Sequence, residues 1–164
     1  MHIASSHDSA AARDKPLLYA ELVQQLRALI ADEPDRIANL ANASALLFSM
    51  LPQLNWAGFY LLKEGELVVG PFQGKPACVR IAVGKGVCGT AALQRKTIIV
   101  ADVHQFPGHI ACDAASNSEI VVPIISTAGE LLGVLDLDSP VTERFDAEDQ
   151  QGLERFVATL LQVM

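Results

Sequence analysis

Positive charge is scarce in this chain. Twelve Lys and Arg face nineteen Asp and Glu in 164 residues, a formal charge of −7, with a pI near 4.9. No basic stripe is available to track phosphates, so nucleic acid is not an expected partner. Long apolar runs are missing too. None approaches the roughly 18 to 20 residues that a membrane span requires, and the opening Met1-His-Ile-Ala-Ser-Ser-His-Asp8 has no apolar core of a secretory signal. Cysteine is limited to three residues without a CxxC pair, a poor basis for an exported disulfide framework. These absences point to a soluble, acidic protein of the cytoplasm with no membrane partner.

What is present is apolar. Hydrophobic residues make up 51% and charged ones only 19%, with a mean hydropathy of +0.29. A disordered chain does not have this composition. The length suits one domain, which at this size buries about 70% of its unfolded surface and needs no staple. So little charged surface also suggests an oligomer.

Residues 1–15 are small and polar and read as a disordered tail, leaving residues 16–164 as the domain. Leu18, Leu22, Leu26 and Leu29 recur at helical spacing. A second helix is expected with Pro34 in its first turn and Ile37, Leu40, Ala41, Leu47 and Leu51 as its stripe. The period then changes. Trp56 to Leu62 and Leu67 to Phe72 form a hairpin around Glu64-Gly65-Glu66, and Cys78 to Val83 is a third strand. A short helix over Gly86 to Arg95 and a strand over Thr97 to Val100 follow. Ala101 to Ser118 is a long loop, of the kind that usually carries function. Glu119 to Ile125 and Leu131 to Leu137 form a second hairpin. A last helix is capped by Asp146 with Asp149 three residues on, and its stripe is Leu153, Phe156, Val157, Leu160 and Met164. The fold class is α+β, with terminal helices covering one sheet face and loops covering the other, where a pocket can form.

Five features could carry chemistry. Gly84-Lys-Gly86-Val-Cys-Gly89, with Asp102 downstream, is a literal GxGxxG. A tight turn is the better reading, because no alternating βαβ pattern surrounds it. Cys88, His104, His109 and Cys112 hold metal-binding atoms at intervals that match no common zinc signature, so no metal is expected. The histidines read as loop-ordering hydrogen-bond partners. Cys112, in the long loop, is placed to approach another sulfur, with Cys78 at the start of a strand as a stationary partner. Asp136 and Asp138, two apart on an otherwise apolar strand, share one face, and Glu119 on the neighbouring strand could join them. Such a cluster can receive an ammonium group, or keep one carboxyl protonated as a donor. Trp56 and Tyr60, four apart on a strand, either fill the core or wall a small apolar slot.

In order along the chain stand Asn55-Trp-Ala-Gly-Phe-Tyr60, Gly70-Pro-Phe-Gln-Gly-Lys-Pro-Ala-Cys78, Gly84-Lys-Gly-Val-Cys-Gly89-Thr-Ala, Asp102-Val-His, Phe106-Pro-Gly-His-Ile-Ala-Cys112-Asp113, Ser118-Glu-Ile-Val-Val-Pro123 and Gly133-Val-Leu-Asp-Leu-Asp138-Ser. Together these resemble the free methionine-(R)-sulfoxide reductases, stand-alone GAF-domain enzymes. The likeness runs from about residue 16 to the C-terminus and includes all three cysteines at intervals of 10 and 24. It implies a single GAF domain with a six-stranded antiparallel sheet between helices, and a homodimer. It also implies free L-methionine (R)-sulfoxide as substrate, thioredoxin as reductant, and no metal or organic cofactor. By the same resemblance Cys112 is the nucleophile, Cys78 its main resolving partner and Cys88 a secondary thiol. Trp56 and Tyr60 would wall the sulfoxide methyl, and Glu119, Asp136 and Asp138 would hold the substrate and polarise its oxygen. Two other readings stand beside it: a GAF module that senses a small ligand without chemistry, and a nucleotide-binding domain built on the glycine turn.

Overall fold

Two helices lead into the sheet. The computed structural model describes residues 14–164, and the part of the expected tail over 1–13 lies outside them. Helix α1 (Lys15–Ile30) starts from Asp14 with a proline in its first turn. Its buried face is Leu18, Leu22 and Leu26 with Tyr19, Val23 and Ile30, while Leu29 is exposed. Helix α2 (Arg36–Met50) is capped by Asp35, whose carboxylate accepts from Ala38 N at 2.8 Å. Pro34 therefore lies before the cap rather than in the first turn. Asp35 offers an acceptor to an orphan N–H, which proline does not. The inward stripe of α2 also differs from the expected one. Leu40, Ala43, Ser44 and Leu47 are buried at successive turns, and Ile37 and Ala41 face solvent.

The strands are β1 (Trp56–Lys63), β2 (Glu66–Gly74), β3 (Arg80–Ala82), β4 (Ile98–Val100), β5 (Ser118–Ile125) and β6 (Leu131–Ser139). They form one sheet in the order β3-β2-β1-β6-β5-β4, and every pairing is antiparallel. Helix α3 (Gly86–Gln94) joins β3 to β4, and α4 (Ala147–Leu160) follows β6. Alternation along the strands makes two cores. Ala57, Phe59 and Leu61 of β1, Ile120, Val122 and Ile124 of β5, and Leu135 and Leu137 of β6 pack against α1, α2 and α4. On the other face Trp56, Tyr60, Val121 and Val134 meet Val87, Cys88, Ala91 and Ala92 of α3. All three long helices thus lie on one side, and the opposite side is left to α3 and loops. Helix α4 carries the expected capping box between Asp146 and Asp149.

The third strand is shorter than expected. Cys78 lies not in β3 but in the segment 75–79 that precedes it, which Val69 N ties down through the carbonyl of Val79 at 2.9 Å. The carbonyl of Cys78 accepts from the Tyr60 hydroxyl rather than from a strand, and ladder pairing with β2 begins only at Arg80. The glycine motif is a turn. Gly84 and Gly86 have φ of +91° and +61°, Lys85 N donates to Ala82 O, and a Cβ at Gly89 would strike that same carbonyl. Asp102 caps the short 3₁₀ turn Val103–Gln105 by accepting from His104 N.

Candidate active site

Strand register assembles the floor of the site. Trp56 of β1 faces Asp138 of β6, and Asp138 faces Glu119 of β5. One row further in, Gly58 faces Asp136 and Asp136 faces Val121; beyond that Tyr60 faces Val134. The three carboxylates and the two aromatics thus share the sheet face opposite the long helices, and all five line one pocket. Gly58 makes the aromatic arrangement possible, since a Cβ there would run into the backbone of Phe72 and lie 2.9 Å from the edge of Trp56. With no side chain in the way, Trp56 stacks between Tyr60 and Phe72, with centroids 5.9 and 5.1 Å apart. The two alternatives for Trp56 and Tyr60 are therefore both true. They belong to the second core and they wall the pocket.

Burial dominates the electrostatics. Glu119 and Asp136 are only 6% and 5% exposed. Loss of water pushes Asp136 up to about 6. Glu119 and Asp138 are raised by burial first and then by the charge of Asp136. The Cys88 thiol, 3.9 Å from Glu119 Oε1, is fully enclosed and raised by burial and then by the neighbouring Asp136 and Glu119. Its charged, reactive form is disfavoured there. Asp136 Oδ1 is buried and accepts no hydrogen bond from the described residues. Such an atom favours a ligand that brings its own donors.

Cys112 lines the pocket and is joined to Cys78 in a disulfide, with Cα atoms 5.5 Å apart and a sequence separation of 34. Cys78 is half-buried, whereas Cys88 is a free, buried thiol. The segment carrying Cys112 is fastened at several points. Asn55 Nδ2 donates to Asp113 Oδ2 at 3.1 Å and to Ser116 Oγ at 3.0 Å, and Asn55 N donates to Asp138 O. His104 Nε2 contacts Asn117 Oδ1 at 3.1 Å, a loop-ordering role. His109 does something else. Its Nε2 lies 3.8 Å from Glu119 Oε2 at the pocket wall. Burial and then nearby His104 hold the imidazole below its usual range, while burial raises Glu119, so both shifts work against an ion pair at this contact.

The four metal-binding residues considered in the sequence do not converge, because Cys112 is in the disulfide and His104 turns to Asn117. Among the described residues, the donor atoms that do converge are those of Cys88, Glu119 and Asp136, all within 4.8 Å of one another. Asn55, Asp113, Ser116 and His109 carry no periodic signal of their own. Only their position beside Trp56 and Cys112 in the quoted motifs could have marked them.

Fold and site together define an α+β domain with a disulfide beside an acid-floored pocket. The GAF-domain family matches residues 37–164. The free methionine-R-sulfoxide reductase of Escherichia coli is 55% identical over 151 residues, spanning 92% of this chain and 91% of that protein. A reductase of the same name from Neisseria meningitidis, solved in complex with its substrate, superposes with a TM-score of 0.88 at 43% identity over 99% of this chain and 95% of that one. A crystal structure from Burkholderia vietnamiensis described as a putative GAF sensor protein has a TM-score of 0.89 at 61% identity, over 92% and 95% of the two chains. The chain belongs to the GAF-domain family, in the branch of the free methionine-R-sulfoxide reductases.

Proposed function

We propose that this protein reduces free L-methionine (R)-sulfoxide to L-methionine, with Cys112 as nucleophile and Cys78 as resolving thiol. The observation that carries the reading is the Cys78–Cys112 disulfide beside a pocket floored by Glu119, Asp136 and Asp138. Sulfoxide sulfur accepts a thiolate only when its oxygen is hydrogen-bonded or protonated. A carboxyl kept neutral by burial supplies that proton, and Glu119 and Asp138 are the candidates. The ammonium group of a free amino acid brings donors for Asp136 Oδ1 and for whichever acid ionises. Trp56 and Tyr60 enclose the methyl.

The Cys112 thiolate attacks the substrate sulfur. Oxygen passes to Cys112 as a sulfenic acid, the substrate gains two electrons, and methionine leaves. The Cys78 thiol then attacks the sulfenic sulfur, its proton departs with the hydroxyl as water, and the disulfide forms. A protein dithiol of the thioredoxin class restores both thiols and takes up the oxidation as its own disulfide. Enclosed Cys88 is at most a secondary thiol. These steps use no metal or organic cofactor.

We take residues 16–164 as one catalytic domain acting as a homodimer in the cytoplasm. No helix among the described residues is long and apolar enough to cross a membrane. Methionine formation from the free sulfoxide in the presence of a dithiol tests the reading against a purely ligand-sensing GAF module. Loss of the charged amine should also cripple the reaction. If N-acetyl-methionine sulfoxide, or the (S) epimer, shows a kcat/KM comparable to the free (R) form, the pocket does not recognise substrate in this way.

A further inference from the structure

The segment that carries Cys78 lies between β2 and β3 and has no ladder of its own. Hydrogen bonds from the body of the domain hold it, and two of them come from the aromatic wall. Trp56 Nε1 donates to the carbonyl of Lys75 at 3.2 Å, at the start of the segment. The Tyr60 hydroxyl donates to the carbonyl of Cys78 itself at 2.9 Å. Val69 N reaches the next residue, Val79. Both rings are 2% exposed and stacked on one another, so their polar tips are fixed in direction as well as reach. Gly74, at the end of β2, admits this arrangement. Its φ is +128°, and a Cβ there would lie 2.7 Å from Trp56 Cδ1.

We propose that Tyr60 and Trp56, besides walling the pocket, are positioning residues for the resolving thiol. Their polar tips hold the backbone of 75–78 where the Cys78 sulfur meets the sulfenic acid of Cys112. The inference rests on the reductase reading of the preceding section. It concerns the second chemical step, in which the S–O bond of Cys112 sulfenic acid breaks, the S–S bond to Cys78 forms and water leaves. That step needs the two Cα atoms at disulfide distance, here 5.5 Å. Each ring thus serves both half-reactions: it lines the pocket, and its polar tip sets the geometry of closure.

Tyr60→Phe keeps the ring and removes only the donor to Cys78 O. Reduced protein is mixed with one equivalent of free methionine (R)-sulfoxide and no reductant. Methionine release and thiol loss are followed in time, and a sulfenic-acid trap such as dimedone is added at intervals. In Tyr60→Phe the closure step should slow about tenfold more than methionine release does, the worth of one hydrogen bond. Trapped sulfenic acid should rise toward the level set by Cys78→Ser. Trp56→Phe, which removes the bond to Lys75 O, should shift the same ratio in the same direction. If wild type releases methionine and both variants trap no more sulfenic acid than wild type, the positioning role is wrong although the reductase reading stands. If wild type releases no methionine, both fall together.

Discussion

Glu119 and Asp138 are direct cross-strand partners on β5 and β6, two carboxylates facing one enclosed floor with Asp136 one row away. Like charges in that position destabilise a sheet. The arrangement persists because burial keeps them from all ionising, and a neutral carboxyl is then available as a donor.

Glu119→Gln and Asp138→Asn preserve shape and a hydrogen-bond donor but remove the transferable proton. Single-turnover methionine release should slow by about two orders of magnitude in the variant that has lost the donor. The fold should survive, and thermal stability should hold or rise as repulsion is relieved. Near-wild-type rates in both variants would leave these acids a structural role only.

Asp136 makes stability depend on pH. Its carboxyl titrates near 6 in the folded protein, against an ordinary value of 3.8. Between those values the native state holds a proton that the unfolded chain has lost, so stability falls as pH rises through this window. Asp136→Asn escapes that loss. The Tm of the variant minus that of wild type should therefore increase from about pH 4 to about pH 7 and level off above. A difference that is flat, or that shrinks with pH, would contradict the burial argument.

The three thiols should separate by half-reaction. Cys112→Ser should release no methionine even in a single turnover, because an alcohol lacks comparable nucleophilicity toward sulfur. Cys78→Ser should release close to one methionine per subunit and then stall with thioredoxin. Cys88→Ser, which removes a buried thiol outside the disulfide, should retain both the burst and disulfide closure. A burst in Cys112→Ser with none in Cys78→Ser would reverse the assigned roles.

Helix α4 docks on α1 through a glycine. Gly152 has no room for a side chain, because its Cβ would enter the ring of Tyr19, whose hydroxyl donates to buried Asp149 at 2.7 Å. Gly to Ala inside a helix ordinarily gains about 1 kcal/mol. Here overpacking, worth about 1 to 3 kcal/mol, should outweigh it. Gly152→Ala should lower Tm, and a raised Tm would show that the α1–α4 contact is softer than this geometry.

Local pattern alone makes several of these features readable. The two-residue period of Asp136 and Asp138 puts them on one face whatever the strand pairs with. Asp146 and Asp149, three apart at the start of a helix, make a capping box from backbone geometry alone. The quoted motifs and cysteine intervals carry the family likeness. Other features are not legible in the chain. Which face of α2 is buried depends on what the helix packs against, here β2, β1 and α1, and not on its own sequence. Cys78 falls outside its expected strand, its carbonyl taken by the Tyr60 hydroxyl from 18 residues away, and no local pattern announces that partner.

The sequence by itself determined the shared face of Asp136 and Asp138, the capping box of α4 and the chemical inventory, because each depends on neighbours within a turn or two of chain. Tertiary structure decided which acid faces which, that Asn55 clasps the Cys112 segment, that His109 turns to Glu119 while His104 turns away, and that two cysteines 34 residues apart share a bond. Those relations follow from strand register and loop closure. Both are set by burial of side chains distant in sequence, so no local window of the chain contains them.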